Sequence, residues 1–254
     1  MNGTHDALGA FQFRSRKSMS NMLWLILVAP LLWLIGIDLW QEGAHSTVIG
    51  LASVLLLGGS YWLVDRLVSY IDVYHNGLVC RRLWGGVQTM MFDADMRVFV
   101  HRWQYGWWLL TFAKHIKLKI VWADKSSYHI AHSFQYGERM VAVIEHYQFI
   151  HAWAITSQDY DVGKTLDFVA LQLNHAAIQI GKKSIAQADL GDVVLSDGSL
   201  RFHLRNQKGK SKYFAAAKVP LYKIANLSIL CHLLGFKKQD VAQYGYGVRR
   251  LPFL

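Results

Sequence analysis

The chain has 254 residues, of which 53% are hydrophobic and 17% are charged, and its formal net charge is +10. This composition excludes a disordered protein, because disordered chains combine low hydrophobicity with many charges. Three prolines and two cysteines also exclude a fibrous protein, a disulfide scaffold and a cysteine-based zinc site.

Two long apolar runs lie near the start of the chain, at 22–40 and 47–64. The first run contains one charged residue, Asp38, near its end, and the second is uncharged. Nineteen helical residues extend about 28 Å, close to the roughly 30 Å of a bilayer core. Neither run has the polar face that a helix of a soluble protein needs. The pattern therefore predicts two transmembrane helices in an antiparallel hairpin.

Basic residues flank this predicted hairpin, whereas the short loop inside it has none. They are Arg14, Arg16 and Lys17 before the first run, and Arg66, Arg81 and Arg82 after the second. Because cytoplasmic segments carry an excess of Lys and Arg, both termini are expected in the cytoplasm. The expected location is the cytoplasmic (inner) membrane, crossed more than once.

The remaining residues show strand-like alternation followed by a helix, and this order occurs twice. In the first half, residues 116–120 alternate between apolar and Lys, and residues 140–154 have helical spacing. In the second half, Leu200, Phe202 and Leu204 alternate with polar residues and are expected to point into the core. A helix is expected to open at Pro220 and stop at Gly235. The matched order predicts an internal duplication. Strands closed by one helix indicate a small antiparallel sandwich or barrel.

Four segments carry a resemblance to a known family. They are 73–78 (VYHNGL), 180–185 (IGKKSI), 192–198 (DVVLSDG) and 219–227 (VPLYKIANL). The chain from about 71 to 235 resembles bacterial membrane proteins of unknown function with tandem PH-like cytoplasmic domains. It departs from that pattern at Ala186-Gln187, where the family tends to have a Pro-Trp-like pair. The resemblance implies a PH-like architecture but no chemistry, since its motifs are turns, strand cores and a helix start.

We therefore predict an α+β chain with a membrane part: a two-helix transmembrane hairpin, then tandem PH-like units. Each unit is expected to be a small β-sandwich or barrel closed by a C-terminal helix. The predicted segments are a basic N-terminal tail (1–21), the hairpin (22–64), PH-like unit 1 (65–155), a linker (156–164), PH-like unit 2 (165–235) and a basic C-terminal tail (236–254).

Cations concentrate in the second half, where they predict a site for anionic surfaces. The residues are Lys182, Lys183, Arg201, Arg205, Lys208, Lys210 and Lys212. A domain tethered to the cytoplasmic leaflet is attracted to anionic lipid head groups by about 1 kcal/mol per well-placed cation. The alternative is a solvated strand-and-turn face. Nucleic acid is not expected, because stacking aromatic residues are not interleaved with these cations.

An aromatic cluster contains Trp103, Tyr105, Trp107 and Trp108. Amphipathic rings are favoured at a membrane interface, so the cluster is a candidate for that position. The alternative is packing between the two predicted units.

Catalytic and metal signatures are not found in the sequence. The twelve histidines suggest a metal site, but His129 and His132 would point to opposite faces of a strand. No Gly-x-Ser-x-Gly turn and no phosphate-binding glycine loop occur. We therefore predict no catalytic residues, no metal and no cofactor.

The expected function is that of a non-enzymatic binding or scaffold protein, anchored in the membrane and presenting its domains to the cytoplasm. Its expected partners are another protein or anionic lipid head groups. One version is an immunity protein against a membrane-acting toxin. The alternative is a small accessory subunit of a transporter or channel complex, which would need polar residues along both spans.

Overall fold

The computed structural model describes residues 7–17, 22–107, 110–130, 134–205, 215–236 and 247–250; within them, the side chains of 22–31, 105–107, 110–114 and 247–250 are outside the description. The chain divides into two compact units. Unit 1 comprises residues 1–91 with 133–135, and unit 2 comprises residues 92–132 with 136–254.

Unit 1 combines one sheet with two helices. Its elements are β1 (Phe11–Arg16), α1 (Met22–Gln41), α2 (His45–Val68), β2 (Tyr70–Tyr74), β3 (Gly77–Arg82) and β4 (Gly86–Met91). The four strands pair antiparallel in the order β1-β2-β3-β4. Both helices are therefore inserted between two neighbouring strands, and Arg16 at the end of β1 pairs with Tyr70 at the start of β2.

The sheet of unit 1 forms because alternate side chains of its strands are apolar and share one face. Phe13 pairs with Val73, which pairs with Leu78, and all three are buried. The turn between β2 and β3 needs Gly77, because a Cβ atom there would clash with the Met90 carbonyl oxygen and the Leu8 side chain. The Asn-Gly pair in the sequence thus places a glycine at a position that has no room for a Cβ atom.

Ion pairs connect β1 to its neighbours. The Arg14 guanidinium donates two hydrogen bonds to Asp72, at 2.6 and 2.9 Å. The hydrogen bond to Asp72 raises the pKa of Arg14. The Lys17 ammonium lies 2.5 Å from the Asp65 carboxylate at the end of α2, and the Ser69 hydroxyl donates to the same carboxylate. These bonds fix β1 against both β2 and the end of α2.

Unit 2 contains the other elements. Its helices are α3 (Gly137–Asp161) and α4 (Leu227–Leu233), and its strands are β5 (Arg97–Trp107), β6 (Leu110–Val121), β7 (Ser127–Ile130), β8 (Leu166–Asp167), β9 (Gln172–Leu173), β10 (Ala177–Ile180), β11 (Lys183–Ala186), β12 (Leu190–Ser196), β13 (Ser199–Leu204), β14 (Ala217–Pro220) and β15 (Gly247–Arg250). They form three sheets, ordered β15-β5-β6-β7, β11-β10-β9-β8 and β12-β13-β14. The β15–β5 pairing is parallel and the others are antiparallel.

The core of unit 2 is built from strand faces and the short helix α4. Leu200 and Phe202 of β13 are fully buried beside Leu227 and Leu230 of α4. The predicted inward direction of Leu200 and Phe202 is therefore confirmed. Helix α3 buries Met140, Ile144 and Gln148 on one side, as i, i+4 spacing dictates. The Gln148 amide donates to the Met96 carbonyl at 2.9 Å.

The predicted fold class is wrong. The described residues form four helices and four sheets, and most of the elements are strands. Where side chains are described, one helix, His45–Val68, is long and apolar enough to cross a membrane, rather than the two of a transmembrane hairpin.

The structure divides the chain at a different position from the predicted unit boundaries. Residues 92–132 group with the second half of the chain, so the predicted unit 65–155 is split at 91/92. This grouping follows from contacts of β5 with later segments, namely β15, the turn Leu221–Lys223 and α4. Local alternation does not reveal such a partner.

The predicted tails, linker and last helix differ as well. The tail 1–21 contains strand β1, and the tail 236–254 contains strand β15. The linker 156–164 is mostly the end of α3. Pro220 ends β14. The 3₁₀ turn Leu221–Lys223 separates it from α4, because these residues contact β5.

The structure predicts that β1 is an integral strand of unit 1. Phe13→Ala empties a buried position of that strand and should lower the free energy of unfolding by about 3 kcal/mol. Phe11→Ala, in the same strand but 54% exposed, is the matched control and should change it by about 1 kcal/mol or less. Thermal unfolding of the full chain in detergent, followed by circular dichroism, measures both. Equal effects would show that residues 11–16 do not pack as a strand.

Candidate anion-binding cleft

A row of polar side chains covers one face of the β5-β6-β7 sheet. The opposite face is apolar, with Val98, Val100, Leu118, Ile120 and Ile130 all buried. Residues directly opposite each other in a sheet lie on the same face. Phe99 pairs with Lys119, which pairs with His129, and the next row joins His101 to Lys117. The alternation of the strands therefore sorts two lysines and two histidines onto one face.

The 3₁₀ turn Leu221–Lys223 adds to this face. The Tyr222 ring lies 4.7 Å from the His101 ring, centroid to centroid. Tyr222, Lys223 and the segment 169–170 enclose a cleft of about 790 Å³ over the sheet. This volume is in the range of about 300–1,000 Å³ that is usual for small-molecule sites.

The cleft is cationic. It is lined by three lysines (Lys117, Lys119 and Lys223) and two histidines (His101 and His129), with no Asp or Glu among its lining residues. None of the three lysines forms an ion pair within the part of the chain that the structure describes. Their ammonium groups lie instead over aromatic rings: Lys119 is 5.7 Å from Phe99, and Lys223 is 5.9 Å from Tyr222. Rings hold a cation without neutralising it.

Strained backbone borders the cleft at Val169. Its φ is +70°, a left-handed conformation that is rare for a β-branched residue and costs on the order of 1–3 kcal/mol. The Asp167 carboxylate accepts the Val169 N–H at 2.9 Å and thereby stabilises this conformation. Asp167 also pairs with Arg97 of β5 at 3.1 Å. The rim is therefore fixed to the strand that forms the floor of the cleft.

Asn226 holds the Tyr222–Lys223 turn over the sheet. Its side-chain oxygen accepts the Val98 N–H at 2.8 Å, and its own N–H donates to the Val98 carbonyl at 2.9 Å. The neighbouring Ala225 N–H donates to the Phe168 carbonyl. Adjacent residues thus connect floor, rim and turn, so the cleft is formed before a ligand enters.

The predicted anionic-surface residues form a different group. Arg201 lies opposite Lys218 across β13 and β14, and the Lys183 ammonium donates to the Ala216 carbonyl at 3.1 Å. Arg201 also pairs with Asp197 at 3.1 Å. Lys182 and Arg205 are exposed, and Lys208, Lys210 and Lys212 lie outside the described residues. Lys183 of β11 and Arg201 of β13 thus lie in different sheets, and each already has a hydrogen-bond partner.

The aromatic cluster is described in part. Trp103 is buried within unit 2, stacked on His115 at 5.5 Å and 4.7 Å from His101, which favours packing over a membrane interface for this ring. Burial lowers the pKa of His115. Tyr105 and Trp107 have described backbone in β5 but not side chains, and Trp108 lies outside the described residues.

The sequence interpretation missed the cleft residues as a group. It recognised the alternation of Lys117 and Lys119, but not that Lys223 meets them from another segment. The strand register would have placed His101 and His129 beside these lysines. Within the described residues, no group of three His, Cys, Asp or Glu side chains is suited to a metal ion.

The bonds of Asn226 generate a prediction. Asn226→Gly keeps the left-handed backbone but leaves the buried Val98 N–H without its acceptor, which should lower the free energy of unfolding by about 1–3 kcal/mol. Asn226→Ala adds backbone strain and should lower it by about 1 kcal/mol more. Chemical denaturation of both variants beside the wild type measures this order. A glycine variant as stable as the wild type would mean that the hydrogen bond does not support the turn.

Comparison with protein families matches residues 2–243 to one model, described as a family of unknown function, DUF6585. No curated protein matches the chain. The family description names no chemistry, so the resemblance to bacterial membrane proteins stays a prediction. Because the match extends over nearly the whole chain and both units, the protein belongs to this family of unknown function, DUF6585.

Proposed function

We propose that the protein is a non-enzymatic binding protein, anchored in a membrane, that holds an anionic ligand in the cleft of unit 2. The observation that carries the proposal is the set of five cationic or titratable side chains that line the cleft without a carboxylate. Such a surface attracts anions and repels cations before any specific contact forms.

The lining favours a ligand with both a phosphate and an apolar part. Lysine ammonium groups bind phosphate as mobile point charges. Phe99, Tyr222 and Val169 supply apolar surface beside them. A phosphate ester with an aromatic or ring-shaped substituent satisfies both, whereas a bare inorganic ion uses the charges alone.

Binding fits the cleft better than catalysis does. Its lining residues include no Ser, Cys, Asp or Glu that could serve as nucleophile or carboxylate base. His101 lies between the rings of Trp103 and Tyr222. This arrangement suits a site that recognises charge and shape.

Anchoring is supported by the surface of α2. No residue of this 24-residue helix is buried, and large apolar side chains such as Leu56 and Leu57 are more than 70% exposed. Exposed apolar surface of this extent is unfavourable in water and marks an interaction with a membrane or a partner. The length of α2 matches a bilayer core. The immunity and accessory-subunit roles, as well as a protein partner, stay predictions, because no contact in the described residues favours one over another.

The three cleft lysines provide the test of ligand binding. The full chain, purified in detergent, is titrated with phenyl phosphate and with inorganic phosphate by calorimetry. We expect phenyl phosphate to bind more tightly, and Lys117→Gln/Lys119→Gln/Lys223→Gln to weaken its binding by about tenfold or more, since charged hydrogen bonds contribute about 1.5–3 kcal/mol each.

The matched control removes three lysines of unit 2 that do not line the cleft: Lys125→Gln/Lys164→Gln/Lys182→Gln. It should keep wild-type affinity. Equal losses in the two triple variants would indicate a diffuse effect of net charge and overturn the cleft as the site. Absence of binding by the folded wild type would overturn the phosphate-ester ligand.

Anchoring has its own test. Membranes from cells that express the full chain are washed with alkaline carbonate, which releases peripheral proteins. We expect the chain to stay in the pellet, because α2 buries its apolar surface in the bilayer. Leu55→Lys/Leu56→Lys places two charges at the centre of α2 and should shift the chain towards the supernatant. Complete release of the wild type would contradict the anchor.

A further inference from the structure

Five basic residues of unit 1 lie in or next to β1, β3 and the end of α2, but they are not equivalent. Arg14 is paired with Asp72, and Lys17 is paired with Asp65. Arg66 lies over the Trp62 ring at 4.9 Å. Arg16 and Arg81 are exposed and form no ion pair within the described residues. The acids nearest to the sheet are therefore already used by other cations.

The strand register brings these two arginines onto one row. Arg16 of β1 pairs with Tyr70 of β2, and Tyr70 pairs with Arg81 of β3. Neighbouring strands are about 4.8 Å apart, so the two arginines lie about 10 Å apart on one face, one on each side of Tyr70. The next row contains Arg14 and Asp72, and the Arg14 guanidinium covers the Tyr70 ring at 4.0 Å. Tyr70 is thus fixed between the two arginines.

This row lies at the end of α2. The helix ends at Val68, Ser69 donates its N–H back to Asp65, and Tyr70 begins β2. With α2 in a bilayer, a residue two positions beyond its end lies at the level of the lipid head groups. Arginine binds phosphate bidentately, and tyrosine is favoured at this depth because its ring is apolar and its hydroxyl polar.

We propose that Arg16, Tyr70 and Arg81 form a binding site for the phosphate of anionic phospholipids. The occupant follows from charge and position. Two guanidinium groups that form no ion pair within the described residues meet the phosphate layer. An anionic lipid such as phosphatidylglycerol lacks the head-group ammonium by which a zwitterionic lipid offsets its phosphate charge and repels arginine. The site rests on the membrane anchoring proposed above but is independent of the cleft. It lies in unit 1, and none of its residues lines the cleft of unit 2.

The experiment counts bound lipids. The full chain is delipidated in detergent and titrated with phosphatidylglycerol or phosphatidylcholine, and bound lipid is measured by native mass spectrometry. We expect phosphatidylglycerol to bind about tenfold more tightly, and Arg16→Gln/Arg81→Gln to abolish that preference. Arg16→Lys/Arg81→Lys keeps the charge but loses the bidentate geometry, so its preference should fall between the two. Soluble glycerol phosphate should not compete, because the site takes a head group at the interface.

The control Lys125→Gln/Lys164→Gln removes the same charge from exposed positions of unit 2 and should keep the lipid preference. Preference unchanged in Arg16→Gln/Arg81→Gln, or lost equally in the control, would overturn the site. Competition by glycerol phosphate would reassign it to a soluble ligand. Failure of the membrane anchor would give a different result. Carbonate would then release the wild type, and the arginine variant and the lysine control would show the same lipid preference.

Discussion

The pairing of β1 with β2 is the constraint on which unit 1 depends. These strands are separated in sequence by both helices, yet Arg16 and Tyr70 face each other at their ends. The Arg14–Asp72 pair closes the same two strands, with Asp72 almost buried and both of its oxygens bonded. Removing Arg14 would leave the Asp72 carboxylate poorly solvated, and such a loss exceeds that of an exposed pair. The pairing of β1 with β2 therefore determines the position of the end of α2.

Unit 2 depends on a comparable long-range connection. Asn226, just before α4, exchanges two hydrogen bonds with Val98 of β5, and Ala225 bonds to Phe168. One turn thus connects three segments that are far apart in sequence. The left-handed φ of Asn226 directs the chain so that Tyr222 and Lys223 lie over the sheet. An asparagine suits this position because its short side chain tolerates the conformation and accepts the N–H.

Local features of the fold could be predicted from the sequence, and long-range features could not. Alternation predicted that Leu200 and Phe202 point inward, and helical spacing predicted most of α3. Strand β1 was not predicted, because its six residues were interpreted as part of a basic tail. Phe13 and Ser15 nevertheless alternate with polar neighbours. The division at 91/92 was not predicted, because periodicity gives the face of a strand and not its partner. The cleft was missed for the same reason: Lys117 and Lys223 meet through the pairing of β5 and β6 and the Asn226 turn.

Structural cations differ from the cations of the proposed sites in whether a carboxylate pairs with them. Arg14, Lys17 and Arg102 are each bonded to a carboxylate, and each joins two elements. The lysines of the cleft and the arginines at the end of α2 have no such partner in the described residues, although neighbouring like charges raise the energy of the folded state. A chain with 17 acidic residues does not lack carboxylates, and several are placed close by to neutralise other cations. These cations, which form no ion pair within the described residues, are available to an anionic ligand. Binding of the ligand would reduce the repulsion between neighbouring cations in the folded chain. The arginines suit a fixed phosphate at an interface, whereas the lysines suit a ligand that enters and leaves.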